Sequence, residues 1–186
     1  MKIAGVKGMN DVLPAEVARW QEMEAVAREV FALYGYREVR TPAVEHAQLF
    51  ARGVGEATDI VNKEMYAFED KGEELLALRP EGTAGTVRAF IEHGAYVEGP
   101  QKWFYMGPMF RRERPQKGRY RQFHQIGCEC FGVSEPAIDV EQIAMLDDYL
   151  ARLGVSATLK LNSVGDASCR PAYLAEIGRA SCRERV

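Results

Sequence analysis

Histidine and cysteine are scarce in this chain, and their scarcity excludes several kinds of site. The 186 residues include 3 histidines and 4 cysteines. The cysteines Cys128, Cys130, Cys169 and Cys182 have no C-x-x-C spacing and no histidine pair beside them, so neither a zinc site nor a disulfide framework is indicated. We interpret Cys128 and Cys130 as small buried side chains. The sequence assigns no metal ligand.

Long apolar runs and an excess of positive charge are missing as well. No stretch approaches the roughly twenty apolar residues of a membrane span, and no signal peptide opens the chain. We therefore expect no membrane association and a cytoplasmic location. The net charge of −3 argues against a surface that coats nucleic acid. With 47% hydrophobic residues, the chain is long enough to form the core of one domain.

What the chain does have is a cationic segment between two strand-like runs. Residues 111–121 hold six cations and one anion. The flanking residues 103–110 and 123–131 are rich in side chains that favour strands, which predicts a long antiparallel hairpin with a cationic tip. Arginine forks suit phosphate and carboxylate groups, so the tip is predicted to handle an anion. The alternative is a charge run that is merely exposed to solvent.

Alternation along the returning strand predicts a polar face. Phe123, Gln125, Gly127 and Glu129 share that face, because side chains two residues apart point the same way. A ring, an amide and a carboxylate, with glycine leaving room, form a floor for a small polar ligand. Arg111, across the hairpin from Phe123, would place an anion-binding fork beside an aromatic ring, which suits a nucleotide. The opposite face, predicted to pack, carries His124, Ile126, Cys128 and Cys130.

Periodicity defines the other elements. Helices are predicted from Pro14 to Gly35, from Thr83 to Gly94 and from Asp139 to Leu153, each stopped by glycine. Strands are predicted at residues 36–41, 65–68, 75–78 and 158–162. Because strands outnumber helices and neighbouring strands form hairpins, the predicted fold class is α+β, an antiparallel sheet flanked by helices.

The segment before the second helix is a candidate binding element. Thr83 is a candidate N-cap, and Glu81 lies next to the partial positive charge of the helix N-terminus. That charge would keep the carboxylate ionised without a direct ion pair, so that it could bind an ammonium group. The spacing gives equal support to the alternative that this segment only caps the helix.

Several segments resemble one known family. They are Lys7–Pro14, the helix and strand that end at Pro42, Leu78–Thr83 and Phe110–Glu129. The second resembles motif 1 of the class II aminoacyl-tRNA synthetases, and the last resembles motif 2 in its histidyl form. The chain thus resembles histidyl-tRNA synthetase from Lys7 to about Glu176. The resemblance implies that residues 1–176 are the N-terminal part of a class II catalytic domain, and that residues 177–186 are a foreign tail.

The resemblance implies a site for histidine. Glu81, Thr83 and Gln125 would hold its α-ammonium group, and Glu129 would accept a hydrogen bond from its imidazole. Arg111 would bridge the histidine carboxylate and the α-phosphate of ATP, which makes it the catalytic residue of this set.

It also implies sites for ATP and tRNA. Glu113 and Phe123 would hold the adenine by hydrogen bonding and stacking, and Arg119 would reach the outer phosphates. The acceptor end of the tRNA would meet the loop that carries Arg112, Arg114 and Gln116.

The activity implied by the resemblance is that of a ligase. Histidine would be activated with ATP to histidyl-adenylate, pyrophosphate would leave with Mg²⁺, and histidine would pass to tRNA(His). A homodimer would form through the motif 1 region. Family members are more than twice as long and carry a motif 3 arginine that this chain lacks, so we expect the chain alone to be inactive.

Two other functions are compatible with parts of the sequence. The histidine-sensing regulatory subunit of ATP phosphoribosyltransferase shares the family's fold, but it usually departs from the motif 2 pattern that Arg111, Glu113, Arg119 and Phe123 follow here. A nucleic-acid-binding module built on the cationic hairpin is disfavoured by the negative overall charge.

Overall fold

A computed structural model describes residues 3–54, 64–161 and 168–175, and the chain divides into two units, residues 1–155 and 156–186. The helices of the first unit are α1 (Pro14–Leu33), α2 (Ala47–Val54), α3 (Thr83–Glu92) and α4 (Ala137–Arg152), with a 3-10 helix at Ala95–Glu98. Its strands are β1 (Arg37–Glu38), β2 (Val44–His46), β3 (Tyr66–Glu69), β4 (Leu75–Leu78), β5 (Gln101–Phe110) and β6 (Gln122–Phe131).

In the second unit, residues 170–175 are helical. The strand predicted at residues 158–162 is wrong over residues 158–161, which have no regular secondary structure. Residue 162 and the predicted foreign tail, residues 177–186, lie outside the described residues.

Helix α1 begins and ends where the sequence predicts. Pro14 takes a position in its first turn, where a missing N–H leaves no hydrogen bond unmade. Beyond its end, Gly35 has a φ of +79°, a conformation that glycine adopts without steric strain. The buried face of α1 consists of Ala27, Val30 and Phe31.

The first sheet has three strands, in the order β1-β5-β6. β5 and β6 form the predicted antiparallel hairpin, paired from Gln101 with Phe131 to Phe110 with Gln122. β1 is only two residues long and pairs with β5 in parallel. The α+β class is confirmed, but this sheet is mixed, not purely antiparallel.

The second sheet is antiparallel and has the order β2-β4-β3. It packs with α2 and α3 around a small core of Ala47, Phe50, Ala77 and Ala84. β3 and β4 match the predicted hairpin, whereas β2 and α2 were not predicted. β2 has three residues, too few for alternation to identify a strand.

The two faces of the β5-β6 hairpin differ as predicted. On one face, Ile126 and Cys128 pack against the main core, in which the rings of Phe31 and Phe104 stack at 4.4 Å. On the other face, Phe90 of α3 stacks on Phe131 at 4.1 Å. Helix α3 therefore covers one end of the polar face, and its N-terminus lies near the rest of that face.

Cys128 and Cys130 are free and partly buried, so the expectation that both are buried is met only in part. None of the helices in the described part of the chain is long and apolar enough to cross a membrane.

Candidate functional site

The floor of the candidate site is the predicted polar face of β6. Its ladder with β5 is unbroken over all ten pairs, and an unbroken register keeps alternate residues on one face. That face carries Phe123, Gln125, Gly127 and Glu129, which lie opposite Met109, Gly107, Tyr105 and Trp103 respectively.

Arg111 stands at the edge of this floor, next to Phe123. Its guanidinium carbon lies 5.0 Å from the centroid of the Phe123 ring, and its Nε donates a hydrogen bond of 2.9 Å to the carbonyl of Pro80. Its terminal nitrogens make no hydrogen bond within the described residues. The hydrogen bond at Nε thus fixes the side chain, and the two terminal guanidinium nitrogens can bind an anion.

Glu81 caps helix α3. Its carboxylate accepts hydrogen bonds from the backbone N–H groups of Thr83, at 2.5 Å, and Ala84, at 3.0 Å. Gly82 occupies the N-cap position and Thr83 is the first helical residue, so the expectation that Thr83 is the N-cap is wrong. Glu81 therefore caps the helix in place of Thr83. This capping does not exclude ligand binding, since each carboxylate oxygen keeps a lone pair for a further donor.

Glu129 faces the start of α3 across the floor. Burial raises the pKa of its carboxyl group, and the nearby negative charge of Glu81 raises it further. Hydrogen bonding from the hydroxyls of Thr83 and Tyr105 acts in the opposite direction. The structure therefore brings Glu81, Thr83 and Glu129 together at one place.

Gln125 has a buried amide oxygen with no hydrogen-bond partner. Its cross-strand neighbour is Gly107, where a Cβ atom would lie 2.7 Å from Nη2 of Arg79. An unsatisfied buried acceptor destabilises a protein by about 1–3 kcal/mol, and such groups call for an explanation. A donor on a bound ligand would satisfy the oxygen.

Glu113 and Arg119, the residues assigned to adenine and phosphate, lie together at the base of the hairpin tip. Oε2 of Glu113 is 3.2 Å from a guanidinium nitrogen of Arg119, but the contact lacks hydrogen-bond alignment and the oxygen is otherwise unpartnered. Backbone hydrogen bonds between Gln116 and Arg119, of 2.9 and 3.2 Å, close the tip.

The candidate tRNA contacts lie on the outer side of the same arm. Arg112, Arg114 and Gln116 are exposed, and they alternate with the partly buried Arg111 and Glu113. The predicted tRNA contacts are therefore more exposed than Arg111 and Glu113, whereas Arg119, assigned to ATP, is exposed as well.

Two residues of this region were not predicted from the sequence. Arg79 donates hydrogen bonds to the carbonyls of Thr41, at 2.8 Å, and Pro108, at 2.9 Å, and burial lowers its pKa. Tyr105 is 5% exposed and lies between α3 and β6. The glycine at position 127 was the available signal for Tyr105, because glycine within a strand marks a close approach.

The described residues contain no cluster of metal ligands at this floor. Within the described ranges, no group of three His, Cys, Asp or Glu side chains could hold a metal ion, so these residues do not fit a resident Mg²⁺. A cavity of about 510 Å³ lies on the opposite face of β6, between α1 and α4. Its lining is mainly apolar and shares only Gly127 with the floor, which suits packing better than binding of a charged ligand.

Comparison with known proteins decides the family. A model of the histidyl-tRNA synthetase family matches residues 8–178. The chain belongs to the histidyl-tRNA synthetase family.

Curated relatives agree with this assignment. A histidine–tRNA ligase of Anaeromyxobacter dehalogenans (strain 2CP-1) is 82% identical over 100% of this chain and 47% of its own length. One from Geobacter metallireducens is 55% identical over 99% of this chain and 45% of its own length. The chain therefore spans about half the length of the curated relatives it matches.

Solved structures give the same result. Apo histidyl-tRNA synthetase of S. aureus matches with a TM-score of 0.78 and 36% identity, over 100% of this chain and 44% of that one. A protein described as an ATP phosphoribosyltransferase regulatory subunit/histidyl-tRNA synthetase, from Bacillus halodurans, has a TM-score of 0.72 and 26% identity. That match covers 84% of this chain and 39% of the other. The family resemblance of motif 2 and the fold it implies are confirmed.

Proposed function

We propose that this chain carries part of a catalytic site that activates histidine with ATP and transfers it to tRNA(His). The observation that carries the proposal is the unpartnered, buried amide oxygen of Gln125. It shares a strand face with Glu129. A polar ligand with several donors would satisfy both acceptors at once.

The α-ammonium group of histidine supplies such donors. Its three N–H bonds match three acceptors: the Glu81 carboxylate, the Thr83 hydroxyl and the Gln125 amide oxygen. Glu81 already binds two backbone N–H groups, and these hold its carboxylate in place before the ligand arrives.

The imidazole of histidine is assigned to Glu129. A half-buried carboxylate that accepts an N–H hydrogen bond favours histidine over amino acids of similar size without that donor, because those would leave the acceptor unpaired. Glu129 provides this specificity only when it is ionised.

The reacting groups are assigned to Arg111. Its free fork would bind the histidine carboxylate and the α-phosphate together, which brings nucleophile and electrophile into contact. The carboxylate oxygen attacks the α-phosphorus, the bond to the bridging oxygen breaks, and pyrophosphate leaves. Arg111 stabilises the negative charge that builds up on the phosphate, and no nucleophile from the protein is needed.

ATP would occupy the rest of the floor and the tip. Phe123 and Glu113 are proposed to hold the adenine, and Arg119 the outer phosphates. Arg119 would then exchange its contact with Glu113 for the phosphates. The Mg²⁺ implied by the family is proposed to enter with ATP, whose phosphate oxygens are the ligands it prefers.

The remaining assignments are proposals of the same kind. Arg112, Arg114 and Gln116 are proposed to contact the tRNA acceptor end, and the region that ends at Pro42 to form a homodimer interface. We propose residues 1–176 as the N-terminal part of the catalytic domain, and the cytoplasm as its location.

A chimera tests the proposed function. This chain replaces the matching segment of the Anaeromyxobacter relative, and histidine-dependent exchange of pyrophosphate into ATP is measured. We expect exchange that requires histidine and is lost when Gln125 is changed to Met, a variant of similar size without the amide oxygen. The chain alone is assayed in parallel, since its inactivity stays a prediction.

The rival function predicts a different result. A histidine-sensing subunit would bind histidine in calorimetry but would not exchange pyrophosphate. A folded chimera that binds histidine without exchange would therefore favour the regulatory function, and exchange with a different amino acid would refute both.

A further inference from the structure

Tyr105 occupies a gap that two glycines create. Its ring lies where side chains at Gly82 and Gly127 would stand: a Cβ atom on Gly82 would be 2.0 Å from Cε2 of the ring, and one on Gly127 would be 2.5 Å from its hydroxyl oxygen. Gly82 is the N-cap of α3, and Gly127 belongs to β6. The ring is therefore clamped between the two elements that carry the histidine-binding candidates.

The hydroxyl of Tyr105 lies among those candidates. Its oxygen is 3.4 Å from Oγ1 of Thr83, and the hydroxyl lies close enough to Glu129 to lower the pKa of that carboxyl group. The side chain is 5% exposed, so water competes little for the hydroxyl. A hydrogen bond to a charged group in such surroundings is stronger than one between neutral groups.

We propose that Tyr105 is a positioning residue for histidine recognition, which fixes Glu129 and Thr83 relative to each other and favours the ionised carboxylate. The inference rests on the proposed function, because it assigns to Tyr105 the alignment of the ammonium and imidazole subsites. Tyr105 does not contact the ligand in this assignment, and it acts through its two neighbours.

The Tyr105 hydroxyl counteracts the effects that raise the pKa of Glu129. Burial and the charge of Glu81 both raise the pKa of Glu129. The groups that oppose them are the hydroxyls of Thr83, from α3, and Tyr105, from β5. Burial also raises the pKa of Tyr105 to about 12, so the phenol keeps its proton and acts as a donor near neutral pH.

The test compares Tyr105→Phe with Tyr36→Phe. Both tyrosines are buried and both have a pKa raised to about 12, but the Tyr36 hydroxyl contacts Gln142 in the core. The first measurement is the pKa of the Glu129 carboxyl, by NMR titration of the ligand-free chain. We expect it to rise in Tyr105→Phe and to stay unchanged in Tyr36→Phe.

The second measurement is the KM for histidine in the chimera as a function of pH. Tyr105→Phe should raise this KM about tenfold, as expected for loss of a hydrogen bond to a charged group, with little change in the KM for ATP. The rise of the histidine KM at low pH should begin at a higher pH in Tyr105→Phe than in the wild type. The imidazole of free histidine titrates identically in both assays and cancels in the comparison.

The outcomes separate the two proposals. An unchanged pKa of Glu129 together with an unchanged histidine KM overturns the role of Tyr105, even if the chimera is active. A chimera without histidine-dependent exchange overturns the proposed function. If Tyr105→Phe does not fold, Thr83→Val removes the other hydroxyl, and it too must raise the pKa of Glu129 for the arrangement to hold.

Discussion

The guanidinium of Arg111 lies over the ring of Phe123, with 5.0 Å between its central carbon and the ring centroid. This contact joins the first residue of the hairpin tip to the second residue of the returning strand. It orients the arginine fork before any anion binds, which reduces the conformational entropy lost on binding. It also occupies one face of the ring, so an adenine would have to stack on the other.

Arg111→Lys should separate charge from geometry. Lysine keeps the positive charge but has neither the planar fork nor the same stacking on Phe123. We expect the rate constant of pyrophosphate exchange in the chimera to fall about a hundredfold or more, as for loss of a preorganised donor. Wild-type activity in the lysine variant would show that Arg111 acts only as a point charge.

Phe123→Leu should weaken ATP binding selectively. Leucine keeps an apolar side chain but removes the flat ring, and stacking of a base on an aromatic ring contributes about 1–3 kcal/mol. The KM for ATP should therefore rise about tenfold or more, while the KM for histidine changes little. Phe68→Leu, on the exposed side of β3, is the matched control. An equal rise in both KM values would argue against adenine stacking.

The long hairpin and its polar face were predictable, since alternation over ten residues in an unbroken register fixes which side chains share a face. For the segment at Glu81, the sequence predicted two alternative roles, helix capping and ligand binding, because the same carboxylate can do both. The parallel pairing of β1 was not predictable from local sequence, because it joins Arg37 to Trp103, and local patterns contain no information about such distant partners.

The positions of Arg79 and Tyr105 depend on the same kind of distant contact. Arg79 joins the segment after β1 to the end of β5, and Tyr105 fills a gap between α3 and β6. Each needs three chain segments in place at once, so no spacing in the sequence indicates it. The glycines at positions 82, 107 and 127 are the only local sign of these contacts that we identify in the sequence. Each lies where a neighbouring side chain leaves no room for a Cβ atom.

Gly127→Ala should disturb the site by steric conflict with Tyr105. The added methyl group would lie 2.5 Å from the ring and its hydroxyl, and overpacking of this kind destabilises a protein by about 1–3 kcal/mol. We expect a lower free energy of unfolding in urea and a higher KM for histidine. Gly72→Ala, where nothing lies within 4 Å of the new atom, should show neither effect. Equal behaviour of the two variants would contradict the clamped position of the ring.

The outer side of the tip should matter for transfer and not for activation. Arg112 and Arg114 are exposed, and the proposed partner is the phosphate backbone of tRNA. In the double variant Arg112→Ala, Arg114→Ala, the KM for tRNA should rise about tenfold or more, as for loss of charge-assisted hydrogen bonds. Pyrophosphate exchange should stay near wild type. Arg152→Ala, which removes an exposed arginine of α4, should leave both reactions unchanged.

Glu129 should lower the stability of the fold near neutral pH, and this effect should depend on pH. Its folded-state pKa is raised, chiefly by burial, so its contribution to stability is full below the unfolded pKa and is lost as pH rises through the folded value. At pH 7, which is above the unfolded pKa, the burial of this group therefore destabilises the fold. Glu129→Gln should raise the Tm at pH 7, by about 2–4 °C for each kcal/mol relieved in a chain of this size.

This gain should disappear toward pH 4, where the wild-type carboxyl becomes neutral. In the chimera, Glu129→Gln and Glu129→Ala should both raise the KM for histidine much more than the KM for ATP. In the wild type, protonation of Glu129 should raise the KM for histidine as the pH falls. Because the amide of glutamine does not titrate, Glu129→Gln should not show this pH dependence. A glutamine variant with lower Tm at pH 7 would show that hydrogen bonds to the carboxylate outweigh its burial, and equal effects on both KM values would remove Glu129 from the imidazole subsite.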